Sequence, residues 1–249
     1  MNDSPITIAE ARTLVAAPLW PRIRAFLWDF ASLCDHARLT AALSGGSGDL
    51  PRLLSTLSGG SGVSPDRLPP RLAREALRSL GLSPFFYSFP STDGSRLLLL
   101  SREDYERLAQ FLGVVALAPA LRRVTLGADV RALRAALPGV YPEALAFEVY
   151  FRRFEQLFET VRRGPDSSGP AAVSAAGHSL LAAALSSLPA PLLLRQRLRF
   201  PEGSPADVAL ANLGSGSVPE AQASVSQPLA AANLALKLSN PTEYSTLCS

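Results

Sequence analysis

Four clusters of residues in this chain have the side-chain types that chemistry requires. Gly177-His178-Ser179-Leu180 begins like the nucleophile elbow of an α/β-hydrolase, in which a strand-to-helix turn presents a serine. Leu181 replaces the closing glycine, alanines rather than β-branched residues precede the motif, and no histidine follows Ser179 to act as base. His178 is therefore expected on a helix surface. Cys34-Asp35-His36 sets a thiol, an acid and an imidazole side by side, but consecutive helical residues point about 100° apart and cannot converge on one atom. With two His and two Cys in the whole chain, a metal site would depend on carboxylates that no spacing nominates. Cys34 reads as a core residue. Glu148 and Glu155, seven apart on one helical face, could form a carboxylate pair. Glu148–Arg152 and Glu159–Arg163, however, have the i,i+4 order of a solvated face. The hexamer LSGGSG occurs at 43–48 and again at 57–62. It lacks the Lys and Ser/Thr ending of a P-loop, so it reads as a flexible linker. No catalytic, cofactor-binding or metal-ligating residue is assigned, and no cofactor is expected.

The strongest element is 142–163. Phe147, Phe151, Phe154, Phe158 and Val161 are spaced 4, 3, 4 and 3, one stripe down a helix, with Tyr150 and Leu157 widening it. Pro142 suits the first turn and Gly164-Pro165 the stop. Such a helix is about 30 Å long, and the helices around it must cover four phenylalanines. Ile23, Phe26, Leu27, Phe30, Leu33, Cys34 and Ala37 repeat at helical spacing after Pro18 and Pro21, with Trp20 and Trp28 adding apolar surface. A short amphipathic helix is expected at 71–80 and an extended aromatic piece at 85–89. Asp93-Gly94 is a turn signal. Ser101, three before Asp104, resembles an N-cap of a buried helix through Tyr105, Leu108, Phe111, Leu112 and Val115 that ends before Pro119. Further helices follow at 119–125, at 128–137 up to Pro138-Gly139, and at 171–188. An alternating basic-apolar strip covers 195–201, and a last short amphipathic piece covers 229–238.

The fold class is thus mainly α: a single irregular multi-helix domain over 1–202, with a flexible loop at about 44–68 and a linker at 164–170. A Ser/Ala/Pro-rich, disordered-like tail is expected over 203–249. Hydrophobic residues make up 47% of the chain, enough for a core, while charged residues are only 18%. The net charge of +3 is 24 basic minus 21 acidic residues, with Lys237 standing alone among arginines. Acids interleaved with the arginines argue against a nucleic-acid partner. Two cysteines make no disulfide framework and point to a reducing compartment. The first residues carry no signal-like apolar run. The most apolar later stretch, 180–194, is cut by Pro189 and Pro191 and is shorter than the ~20 residues a span needs. The chain reads as soluble and cytoplasmic.

Three segments carry a resemblance: LWDFASLCDHARLTAALS with the preceding Trp20-Pro21-Arg22, then LGVVALAPALRRVTLGADVRALRAAL at 112–137, and Arg197-Leu198-Arg199-Phe200-Pro201. Together they cover under a quarter of the chain. They resemble the K component of the type III secretion cytosolic sorting platform, the SctK (YscK/PscK) family. The doubled LSGGSG and the residues after Gly203 depart from it. The resemblance implies a non-enzymatic, mainly α-helical adaptor at the cytosolic face of the inner membrane, peripheral to it through partners only. It would link the D-type ring protein to the Q–L–N assembly that carries the ATPase, with the Q-type platform protein and the L-type stator as protein partners. The alternatives are a chaperone-like or effector helical protein, or an α-helical enzyme with an unrecognised site. The resemblance supplies no residue motif, so the partner-facing residues come from pattern alone. Arg122, Arg123, Arg131 and Arg134 lie beside apolar helices, and Arg152, Arg153, Arg162 and Arg163 lie on the charged back of the Phe-rich helix.

Overall fold

The computed structural model describes residues 19–27, 30, 33–35, 37–39, 41, 78, 80–82, 92–124, 127–162, 169–214 and 226–248. These are mainly helical, with no strand among them. Both LSGGSG hexamers, the piece at 85–89, most of the 71–80 helix, Trp28, His36 and Arg163 lie outside the described residues. The chain divides into two compact units, 1–91 with 189–204 and 92–188 with 205–249, rather than into a domain and a tail meeting near 202.

In the first unit, α1 (Trp20–Leu27) buries Ile23, Phe26 and Leu27. Phe30, Cys34 and Leu39 continue the buried set, whereas Leu33 is half-buried and Ala37 exposed. Phe26 and Phe30 meet edge to face, centroids 5.8 Å apart. The chain is tied to α7 (Ala190–Leu198) at that helix's carbonyl end, where Leu198 O accepts the Asp35 amide at 2.9 Å and the Cys34 thiol at 3.4 Å. Arg195 of α7 is fully buried, its guanidinium 5.4 Å from the Phe30 ring centroid, and burial lowers its pKa.

The second unit is built around α2 (Arg102–Leu121). Its start is as the sequence predicts: Ser101 Oγ accepts the Asp104 amide at 3.0 Å, satisfying one of the helix's orphan donors. Its end is not. The helix runs through Pro119 to Leu121 and takes in the start of the separate piece expected at 119–125. Proline removes a donor but has a helix-compatible φ, and here only the last turn is affected. The turn expected at Asp93-Gly94 is a short helical turn, Asp93–Arg96, leading into four buried leucines at 97–100. After α3 (Gly127–Ala136), Gly139 at φ 75° lets the chain reverse.

The Phe-rich stretch is not one α-helix. It divides into α4 (Val140–Phe147), a 3-10 segment (Glu148–Phe154) and α5 (Glu155–Arg162). Phe111 of α2 meets Phe147 and Phe151, and Phe151, Phe154 and Phe158 form a mutual cluster with centroids 6.1–6.4 Å apart. Arg107 of α2 reaches Glu143 of α4 at 3.3 Å.

Across the other side of α2 lies α6 (Pro170–Leu185). The two helices touch backbone to backbone at a reciprocal pair of glycines. A Cβ on Gly177 would come within 2.5 Å of the Ala109 carbonyl carbon, and one on Gly113 within 2.8 Å of that of Val173. Ala109 and Gly113 lie one turn apart on α2, as do Val173 and Gly177 on α6, so the helices run antiparallel. The region expected to be a disordered-like tail folds as α8 (Pro205–Gly214), α9 (Ser226–Ser239) and α10 (Pro241–Cys248). Ala231, Ala232 and Ala235 of α9 are fully buried, and α9 packs on α6 and α2. Asn240 holds this end in place: its Nδ2 donates to Asp104 Oδ1 at 3.0 Å, and its Oδ1 accepts the Glu243 amide at 3.1 Å.

Candidate docking site

The clusters that looked chemical in the sequence and lie among the described residues are occupied in holding elements together. His178 is 1% exposed, not at the surface as expected. The close approach at Gly177 draws the next residue between the two helices, beside the Tyr105 ring. Its Nδ1 donates to Ser174 O at 2.8 Å, and its Nε2 lies 3.0 Å from Glu106 Oε2 of α2. Ser174 Oγ is 3.3 Å from the same Nδ1. The nitrogen that faces the hydroxyl therefore already carries a hydrogen committed to a carbonyl, and it cannot take the serine's proton. With a hydrogen on both ring nitrogens, the side chain is a polar link between α2 and α6.

The Cys34-Asp35 pair is also accounted for. Asp35 Oδ1 accepts the amides of Ala37 and Arg38 at 3.2 and 3.3 Å, an N-cap role. Burial, then the Asp35 charge, pushes the Cys34 thiol up to about 11. Cys248 is exposed. A thiol reagent is expected to label Cys248 quickly and Cys34 only on unfolding, so Cys248→Ser should abolish the fast phase. The thiol also links stability to pH. Between its ordinary value of 9.0 and about 11 the unfolded chain binds fewer protons than the folded one. Stability therefore falls as pH rises through that window, and is fully present below it. Denaturant melts over that range should show the fall, reduced in Cys34→Ala. No group of three or more His, Cys, Asp or Glu that could hold a metal lies among the described residues.

The predicted partner-facing arginines divide. Arg131 and Arg134 are exposed on α3. Arg162 is drawn inward: its side chain is 15% exposed, Nε donates to Ala116 O at 2.5 Å, and the guanidinium binds Glu155 and, at 3.0 Å, Glu159. Ala116 is next to Val115, whose carbonyl lost its helical donor to Pro119, so the guanidinium braces the end of α2 where the proline disturbs it. Arg122 pairs with Glu148 at 2.5 Å, which brings the C-terminal end of α2 to the start of the 3-10 segment. The expected Glu148–Arg152 pair does not form, because at three residues per turn i and i+4 no longer share a face. Arg123, Arg152 and Arg153 are exposed and pair with no carboxylate among the described residues.

The sequence reading missed one feature of this face. Tyr150, placed in the buried stripe, is 59% exposed, and Val149 is 52% exposed. Four residues cover about 400° in an α-helix, leaving Tyr150 about 40° from Phe154. At three residues per turn they cover about 480°, which swings it about 120° away while Phe151 stacks over Phe154. Nothing in the periodicity signals this change of winding. No known family, characterised protein or solved structure matches the chain.

Proposed function

We propose that this protein is a non-enzymatic adaptor that works through its surface, and that it serves in a type III secretion sorting platform. The observation that carries the adaptor reading is the contrast between inside and outside. The His178–Glu106 contact at the helix crossing and the Cys34-Asp35 pair hold helices together, while an aromatic-aliphatic pair and three arginines with no carboxylate partner among the described residues face outward at 123 and 149–153. Tyrosine and arginine are the residue types over-represented at the energetic centres of protein interfaces. The resemblance of 20–43, 112–137 and 197–201 to the SctK family supports the narrower placement between the D-type ring protein and the Q–L–N assembly. No helix among the described residues is long and apolar enough to cross a membrane; in this reading partners hold the chain at the cytosolic face of the inner membrane.

Affinity purification of the tagged chain from cells expressing the whole secretion apparatus tests the placement. D-type and Q-type components are expected to co-purify. Absence of both overturns it, and appearance of the chain outside the cell would assign it to the effector class instead.

A further inference from the structure

The 3-10 interruption of the Phe-rich stretch does more than change its winding: it builds a small surface of defined chemistry. We infer that Val149 and Tyr150, with Arg152, Arg153 and Arg123, form a docking point for an acidic, amphipathic segment of a protein partner. This rests on the adaptor reading and names the chemistry of its partner.

The sequence interleaves acids and bases here, and an even mixture would favour no partner of either sign. The fold sorts them. Glu148 is held by Arg122, and Glu155 and Glu159 are both held by Arg162, which is itself withdrawn into the fold against Ala116. Three carboxylates of 148–159 are thereby held by two guanidiniums, while Arg152 and Arg153 stay exposed with no carboxylate partner among the described residues. Arg123 adds a third such charge at the end of α2, a helix that the Arg122–Glu148 pair joins to this segment. Arg122, Arg123, Arg152, Arg153 and Arg162 against Glu148, Glu155 and Glu159 leave this surface with a net charge of +2, five minus three, so complementarity selects an acidic segment.

Shape and polarity add the second term. Tyr150 and Val149 are two of the large hydrophobic side chains most exposed among the described residues. The Tyr150 ring leans on Phe147, centroids 6.1 Å apart. Arg153, three residues after Tyr150 in the 3-10 segment and so on its face, has its guanidinium over the Phe154 ring at 4.7 Å. A rigid aromatic anchor beside arginines suits a helix or strand with apolar residues on one face and Asp or Glu beside them. A nucleic-acid backbone fits less well, because an aliphatic side chain at 149 contributes nothing to it.

The test uses the full chain and three fluorescent probes: a short amphipathic helical peptide of Leu, Phe and Glu, the same peptide with Lys for Glu, and a single-stranded oligonucleotide. The acidic peptide is expected to bind best, and more weakly as salt rises. Arg152→Glu with Arg153→Glu, and separately Tyr150→Ala, should each weaken it about tenfold or more without changing the unfolding midpoint. Arg131→Glu, on α3, should leave binding unchanged. Equal binding of both peptides, preference for the oligonucleotide, or wild-type affinity in the Arg152/Arg153 variant would overturn the inference. The two readings fail separately. Variants that lose the peptide yet co-purify D and Q components as before sink the docking point alone. Peptide binding without any such co-purification sinks the secretion placement alone.

Discussion

Gly177→Ala is expected to destabilise the second unit by about 3 kcal/mol or more, although alanine is the better helix former by about 1 kcal/mol. The added methyl would point at the Ala109 carbonyl, which is backbone and cannot rotate away. The helices would have to separate, and that loosens the reciprocal contact at Gly113 and the His178–Glu106 link one residue on. Where a Cβ would sit, each glycine instead offers a Cα–H to the facing carbonyl, a contact seen at close helix crossings. Ser179→Ala is the control, since the adjacent exposed residue should change stability by less than about 0.5 kcal/mol. Urea unfolding followed by circular dichroism measures both. A Gly177→Ala protein as stable as wild type would mean that the crossing is not backbone to backbone.

Phe154→Ala should cost about 3–5 kcal/mol. The ring is buried, contacts Phe151 and Phe158, and lies beneath Arg153. Its removal opens a cavity between the 3-10 segment and α5, both packed on α2, so little can collapse into the space. Tyr150→Ala, four residues earlier on the same segment, should leave the unfolding midpoint nearly unchanged, because most of its ring is already in water. The pair of variants thus separates the inward from the outward side of the stretch. Unchanged unfolding in Phe154→Ala together with weakened partner binding would make the stripe an interface and remove it from the core.

The sequence alone determined the features that depend on neighbours along the chain. Helical periodicity marked α2, α3 and α6, the Ser101–Asp104 spacing marked a cap that forms as expected, and Pro138-Gly139 marked a reversal that Gly139 makes at positive φ. These are signals of one or two turns, and local chemistry decides them. The tertiary structure decided what depends on partners far away in the chain. Residues 226–248 look like a tail because alanine and serine each bury little area, yet a facing helix can come close to small side chains, and α9 packs on α6 and α2. Gly177-His178-Ser179 looks like part of an elbow, but the glycine is there for a helix crossing and the histidine for a carboxylate on the opposing helix. Arg162 and Arg152 look alike in sequence; a carbonyl beside the site of Pro119 draws the first inward and leaves the second outside. Tyr150 fits the buried stripe by spacing and leaves it by winding, since packing of the phenylalanines against α2 accompanies a 3-10 turn that no local residue type announces.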